Sequence, residues 1–148
     1  MKSRYLILII VFITSFNSLF ANMDENINSS VRKSFQQEFS SAQNIEWTIV
    51  GSLSKATFKF NGQEWYAFYS PAGERVALGR NIHVSFLPFN LTNEVSKSFK
   101  GFWITSAFEI SDDNGSTYFV TIESADQKMT LKSIGTSQWT IFRSTDKE

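Results

Sequence analysis

Few side chains in this sequence could carry out a reaction. His83 is the single histidine, so a serine–histidine–aspartate relay would have to run through it. It lies between Ile82 and Val84 at the expected end of a strand, where a histidine is more often a surface or hydrogen-bonded structural residue than a base. Asp112 and Asp113 form a carboxylate pair, but Asn114-Gly115 follows them, and short polar side chains in such a place fold back on their own backbone to make a turn. The spacing Asp112-x-Asn114-x-Ser116 resembles the start of a calcium loop, yet the glycine such a loop needs at its sixth position is missing. With no cysteine, thiol nucleophiles, disulfides and zinc ribbons are excluded. No glycine-rich phosphate loop and no nucleophile elbow occurs. The expectation is a protein that is not an enzyme, with no catalytic residue, no cofactor and no metal.

What remains is aromatic. The 148 residues include 15 Phe, 4 Trp and 4 Tyr, with 14 Lys+Arg against 14 Asp+Glu. That length fits one domain, and balanced charge argues against nucleic acid. Residues 1–21 read as an export signal: Lys2 and Arg4, then the apolar run Leu6 to Ile13, then Phe20-Ala21 as the expected cleavage point. The run is too short to span a bilayer, which takes roughly 20 residues, so no membrane insertion is expected after cleavage. Loss of Lys2 and Arg4 leaves 12 basic and 14 acidic residues, a net charge of −2. The protein is expected in the periplasm or outside the cell. Residues 22–148 then form a single domain.

Two amphipathic stripes set the helices. Ile27, Val31, Phe35 and Phe39 recur every four residues, which predicts a helix over about Ser29 to Ser41, capped by Ser29 or Ser30. Leu91, Val95 and Phe99 repeat the spacing after Pro88 and before Gly101. Strands are predicted over Trp47–Val50, Lys55–Phe60, Gln63–Tyr69 and Arg75–His83, then Phe102–Ser111, Ser116–Glu123, Lys128–Ser133 and Gln138–Arg143. Asn61-Gly62 and Asn114-Gly115 are tight-hairpin signals whose central residues should both take positive φ. Val31-x-x-x-Phe35 lies 64 residues before Val95-x-x-x-Phe99. The expected fold class is therefore α+β: a tandem duplication of helix plus antiparallel four-stranded sheet, with repeats at about 27–86 and 87–143. Their strands should join in one layer, with both helices packed on one face of the sheet.

Alternation then divides the strand residues between two faces. With Trp65 and Tyr69 under a helix, Tyr66 and Phe68 face outward. With Tyr118, Val120 and Ile122 inside, Phe119 faces outward. With Trp139 and Ile141 inside, so does Phe142. An open face holding Tyr66, Phe68, Phe119 and Phe142, with Thr57 and Lys59 among them, would be an apolar patch of the kind that marks an interface. Tyr66, Phe68, Lys59, Phe119 and Phe142 are thus the expected partner-binding residues. The alternatives are a face covered by loops or a second copy, and a reversal of the two faces.

Certain longer patterns resemble those of a known family. Phe35-x-x-x-Phe39-x-x-Ala42-x-x-Ile45-x-Trp47, a strand ending at Phe60, the run Trp65 to Glu74 (WYAFYSPAGE) and Leu87-Pro88 before a helix together resemble the PepSY-like, β-lactamase-inhibitor-like exported domains of Bacteroidetes-type bacteria. The resemblance covers about residues 27–143. Ser70 stands where that family carries the acidic residue of an "fDxxG" turn. The resemblance implies two tandem helix-plus-sheet repeats and transfers no catalytic residue. The resulting expectation is an exported, non-enzymatic module that binds a protein or peptide, of an inhibitor-like or regulatory kind for an envelope enzyme. The alternative is a structural or sensory envelope protein that self-associates or holds a small apolar ligand.

Overall fold

The computed structural model describes residues 26–147. The signal segment expected over 1–21 lies outside the described residues. The described chain runs α1 (Ser29–Glu38), β1 (Gln43–Val50), β2 (Leu53–Phe60), β3 (Gln63–Tyr69), β4 (Arg75–Ile82), a 3-10 turn (Val84–Phe86), α2 (Phe89–Ser98), β5 (Trp103–Asp112), β6 (Gly115–Glu123), β7 (Gln127–Ile134) and β8 (Gln138–Asp146). It divides into two compact units, one ending at Gly79 and the other beginning at Arg80.

The duplication expected from the sequence is corrected here. The strands form one eight-stranded sheet in the order β1 to β8, and the chain is mostly sheet. It is not two repeats of a helix with its own four-stranded sheet. The physical reason lies in the edges. Two separate sheets would leave four strands with unpaired N–H and C=O groups, whereas one continuous sheet leaves two. Those two carry bulges. On β1, Gln43 pairs with Lys59 and Glu46 with Thr57, so one extra residue is accommodated, and Asn44 there takes φ 52°. On β8, Ile141 pairs with Leu131 and Arg143 with Thr130, so Phe142 is the extra residue.

Each helix covers the sheet with the stripe its sequence shows. Ile27, Val31, Phe35 and Phe39 pack with Ala56 and Phe58 of β2 and Ala67 and Tyr69 of β3. Phe35 is the hub: its ring centroid lies 5.4 Å from Phe39, 5.2 Å from Trp47 and 4.9 Å from Phe58, the last edge to face. In the second unit Leu87 and Val95 pack with Ala107, Val120, Ile122, Met129 and Leu131, and Tyr118 and Trp139 lie against them. Trp139 Nε1 also donates to the carbonyl of Leu91 at 2.8 Å, tying β8 to α2.

The ends of α1 differ from expectation. Asn28, not Ser29 or Ser30, is the cap: its Oδ1 accepts from Ser30 N at 3.0 Å while its Nδ2 donates to the Pro71 carbonyl at 3.1 Å. The helix stops at Glu38, and Phe39 has left helical geometry at φ −123°. Of the two hairpin signals, Asn61-Gly62 takes positive φ at both residues, 51° and 77°. At the other, Asp112 pairs with Gly115, so the two-residue loop is Asp113-Asn114, one residue earlier than the Asn-Gly pair suggested.

The Ser70–Gly73 turn is pressed against the start of α1. Gly73 has φ 90°, and a Cβ there would lie 2.9 Å from the Ser30 carbonyl oxygen. Gly62 has φ 77° with open space around it. Gly73→Ala should therefore cost about 2–4 kcal/mol, joining clash to backbone strain, and Gly62→Ala about 1 kcal/mol from strain alone. Urea unfolding of both variants measures the difference. Equal losses would show that the turn does not bear on the helix.

Candidate functional site

Strand alternation gives each unit a face under its helix and a far face. In the first unit the far face is formed by Lys55, Thr57 and Lys59 of β2 opposite Phe68, Tyr66 and Glu64 of β3. In the second it includes Trp103 of β5, opposite Glu123 of β6, which pairs in turn with Lys128 of β7.

The far face is not the open aromatic surface that alternation predicts. Tyr66 is 7% exposed, Phe68 2% and Phe119 3%, and Phe142 is half-buried. The neighbours of Tyr66, Phe68 and Phe119 lie in the cores under the helices, but an antiparallel sheet need not leave one face to water. Here large residues on both faces are withdrawn from solvent. Phe119 and Phe142 pack edge to face with centroids 5.9 Å apart, in contact across the bulge. Ile141, expected inside, is more than half exposed. Of the five expected binding residues only Lys59 is exposed.

A buried charge accompanies the buried rings. Lys55 is buried on the far face with its Nζ 5.0 Å from the Tyr66 ring centroid, a cation–π contact. The Tyr66 hydroxyl donates to the Glu64 carboxylate. Burial pushes the Lys55 ammonium below the ordinary lysine range, and the charges of Glu64 and Glu46 partly restore it. This arrangement holds a lysine in place.

Residues with chemical promise in the sequence serve local structure. His83 Nδ1 accepts from Ser85 N at 3.3 Å and lies 2.8 Å from Ser85 Oγ, capping the 3-10 turn. Asp112 Oδ1 accepts from Asn114 N at 2.7 Å, an Asx turn. Residues 115–123 are strand, which leaves no calcium loop. Among the described residues no group of three or more His, Cys, Asp or Glu is placed to hold a metal. Ser70 performs a turn role through its hydroxyl, which accepts from Glu74 N at 3.2 Å.

The second unit carries the most exposed apolar side chains. Trp103 is 54% exposed, Phe86 74% and Phe89 80%. Trp103 is held from one side: Lys147 Nζ lies 5.7 Å from its ring. The same Nζ makes an ion pair with Glu123 at 2.9 Å and donates to the Ser124 carbonyl at 2.9 Å. Lys128 reaches Glu123 at 3.4 Å. Hydrogen bonding to Lys147 comes first among the causes that hold the Glu123 carboxyl below its usual range. The sequence places Trp103 only inside the predicted strand Phe102–Ser111 and does not disclose this cluster. Neither Lys128 nor Lys147 is near Trp103 in sequence, so only the strand register brings them together.

Two outcomes follow from the burial. Tyr66→Ala and Phe68→Ala should each lower stability by about 3–5 kcal/mol in urea unfolding, as for other buried aromatics; near-neutral effects would restore the open-face reading. Tyr69 supplies the second outcome. Its ring is fully buried, its hydroxyl donates to Glu38 Oε2 at 3.4 Å, and Glu38 pairs with Arg75 at 2.7 Å. Burial first, and the Glu38 charge second, push its phenol above the ordinary tyrosine value. A raised folded pKa means that the stabilisation is complete below about pH 10 and is lost as pH rises past the unfolded value. Lys55, lowered in the fold, acts in the opposite direction over the lysine range. The difference between wild type and Tyr69→Phe isolates the phenol: wild type should lose more stability than the variant between about pH 8 and pH 10.5, and parallel losses would refute the assignment.

No protein-family model matches the chain, and no curated protein matches it. Solved structures do. A DUF2874 family protein from Bacteroides uniformis superposes with a TM-score of 0.69 at 15% identity, covering 80% of this chain and 88% of that one. A protein of Bacteroides eggerthii, assigned provisionally to the periplasm, matches at 0.69 and 14%, again over 80% and 88%. A BLIP-like protein from Bacteroides fragilis matches at 0.62 and 15%, over 80% and 85%. None of these three is described as PepSY-like, so that part of the resemblance has no counterpart in them. Among the described residues no helix is long and apolar enough to cross a membrane. At these identities the likeness establishes the fold: this chain has the fold of the BLIP-like and DUF2874 proteins of Bacteroides.

Proposed function

We propose that this chain is an exported, non-enzymatic module that binds a protein partner through the Trp103 end of the second unit's far face. The single observation that carries the reading is Trp103, more than half exposed yet fixed by the Lys147 contact and bordered by Glu123 and Lys128. An exposed tryptophan bordered by charges has the composition of an interface hot spot with a polar rim. The turn and cap roles of His83 and Asp112 support a non-catalytic reading. Export is supported by the signal-like residues 1–21 and by the periplasmic assignment of one structural neighbour. An inhibitor-like or regulatory action on an envelope enzyme is the form of binding that the BLIP-like neighbour's fold suggests.

Trp103→Ala tests the reading. Stability should change by no more than about 1 kcal/mol, the worth of an exposed cation–π contact. Proteins crosslinked to the wild-type chain in the envelope fraction should fall at least about tenfold in yield, as for a hot-spot residue. Unchanged capture by a folded Trp103→Ala chain would refute this surface as the binding site.

A further inference from the structure

The far face of the second unit carries an excess of positive charge beside Trp103. Met129 and Leu131 of β7 lie in the core under α2, so alternation turns Lys128, Thr130 and Lys132 to the opposite face. Residues paired across neighbouring strands share a face. Glu123 of β6 stands opposite Lys128, and on β8 Arg143 stands opposite Thr130. Lys147 joins them through its contacts with Glu123 and the Trp103 ring. The other carboxylates of this region lie elsewhere. Asp126 is in the β6–β7 turn, and Asp146 stands opposite Gln127 on the helix side, accepting from its Nε2 at 3.3 Å. Among the described residues of β6 to Lys147, Glu123 is thus the one carboxylate on a face with Lys128, Lys132, Arg143 and Lys147. The chain without residues 1–21 has a net charge of −2, so this face is opposite in sign to the whole.

Glu123 is already shared, by Lys128 at 3.4 Å and Lys147 at 2.9 Å. Arg143 is exposed and Lys132 half-buried, and neither has an ion pair or side-chain hydrogen bond among the described residues. The other two arginines of the sheet are both paired, Arg75 with Glu38 and Arg80 with Glu109. Arg143 and Lys132 are diagonal neighbours, because Lys132 follows two residues after Thr130, the partner of Arg143. Like charges so placed repel, and no bond within the described chain offsets that. A carboxylate brought from outside would gain from both. The pattern also selects among anions. Glu123 lies between Trp103 and Lys128 in the register, so a uniformly charged polyanion laid across the face is repelled next to the tryptophan. A protein surface can place carboxylates over Arg143 and Lys132 and an apolar side chain over Trp103.

We infer that the partner bound at the Trp103 site is an acidic protein surface whose carboxylates are received by Arg143 and Lys132. The inference rests on the reading of Trp103 as the binding residue and adds the chemistry of what it binds. Arg143 offers a planar fork to a carboxylate, and Lys132 a second, movable donor. Such charges speed encounter and reject partners of the wrong sign, while Trp103 supplies the desolvated contact.

Peptides supply a defined probe. Random twelve-residue peptides displayed on phage are selected on the immobilised full chain, and those recovered are synthesised. Peptides that lose binding to Trp103→Ala should be richer in Asp and Glu than the library. Their affinity should fall at least about tenfold for Arg143→Gln with Lys132→Gln, and by a similar factor when their own Asp and Glu become Asn and Gln. On the unaltered chain it should also fall between about 0.05 and about 0.5 M salt, a readout that needs no variant to fold. The double variant should unfold at the same urea concentration as wild type, since neither side chain makes a bond. Peptides that need Trp103 yet are not acidic, or bind the double variant equally, overturn the inference and leave the Trp103 reading standing. Acidic peptides that need Arg143 and Lys132 but not Trp103 support the acidic partner and refute Trp103 as its anchor. Recovery of no peptide that depends on any of the three residues overturns both. Tighter binding of a single-stranded oligonucleotide than of any recovered peptide, lost in the double variant, would assign the face to a polyanion and overturn the inference.

Discussion

Burial of the sheet from both sides is the constraint on which the rest of this structure depends. From Tyr66 to Tyr69 every consecutive side chain of β3 is buried, although neighbours point to opposite faces. Ala67 and Tyr69 go under α1 with Phe35 and Phe58, while Tyr66 and Phe68 go to the far face. With no disulfide available, stability has to come from withdrawing apolar area, at roughly 25 cal/mol per Å². A chain with 15 phenylalanines can do that only if both faces participate, because one helix per unit covers one face. The charges drawn into this arrangement are accommodated locally, as Lys55 is over the Tyr66 ring.

The same constraint explains which parts of the fold could be read in the sequence. Element type and order were legible because the periods are clean. The four-residue stripe from Ile27 to Phe39 fits one geometry only, and the short apolar run from Trp65 to Tyr69 is marked as a strand by the turn signals on either side of it, Asn61-Gly62 and Ser70 to Gly73. Boundaries were less so. Asn28 takes the cap from Ser29 and Ser30 because its amide can bond Ser30 N and the Pro71 carbonyl together, a second partner that lies 43 residues away. Sheet extent was legible only in part: one joined layer was expected, but that the strands are not two helix-plus-four-stranded-sheet repeats is decided by edge pairing, and no local period reports edge pairing.

The candidate site was legible in direction and not in exposure. Alternation correctly turns Tyr66, Phe68 and Phe119 away from the helices, but a period of two says nothing of what lies beyond the sheet face. Phe142 shows a further limit, since its place depends on a bulge produced by pairing with β7. Trp103 was hidden because its neighbours Glu123, Lys128 and Lys147 come from three other places in the chain. The Phe86–Phe89 segment did carry a signal. A charge-free run between Arg80 and Glu94 with two phenylalanines around Leu87-Pro88 has the composition of core, and only the two rings depart from that pattern.

Two-sided burial also limits where such a protein can meet anything else. A strand such as β3, whose side chains from Tyr66 to Tyr69 are buried on both faces, offers none of them to a partner. The edges are blunted by bulges, with left-handed Asn44 on β1 and the extra residue Phe142 on β8, which disfavours pairing with a foreign strand. Strand ends, turns and the charged side chains of β7 and β8 remain. Trp103 lies at the start of β5, and Phe86 and Phe89 lie where the 3-10 turn gives way to α2. Both places are held by short-range bonds: Lys147 on the first, and the backbone bonds of residues 83–92 on the second. In a module of this kind the core sets position and the side chains outside it make contact, so recognition can vary between proteins of the same fold while their buried rings stay in place.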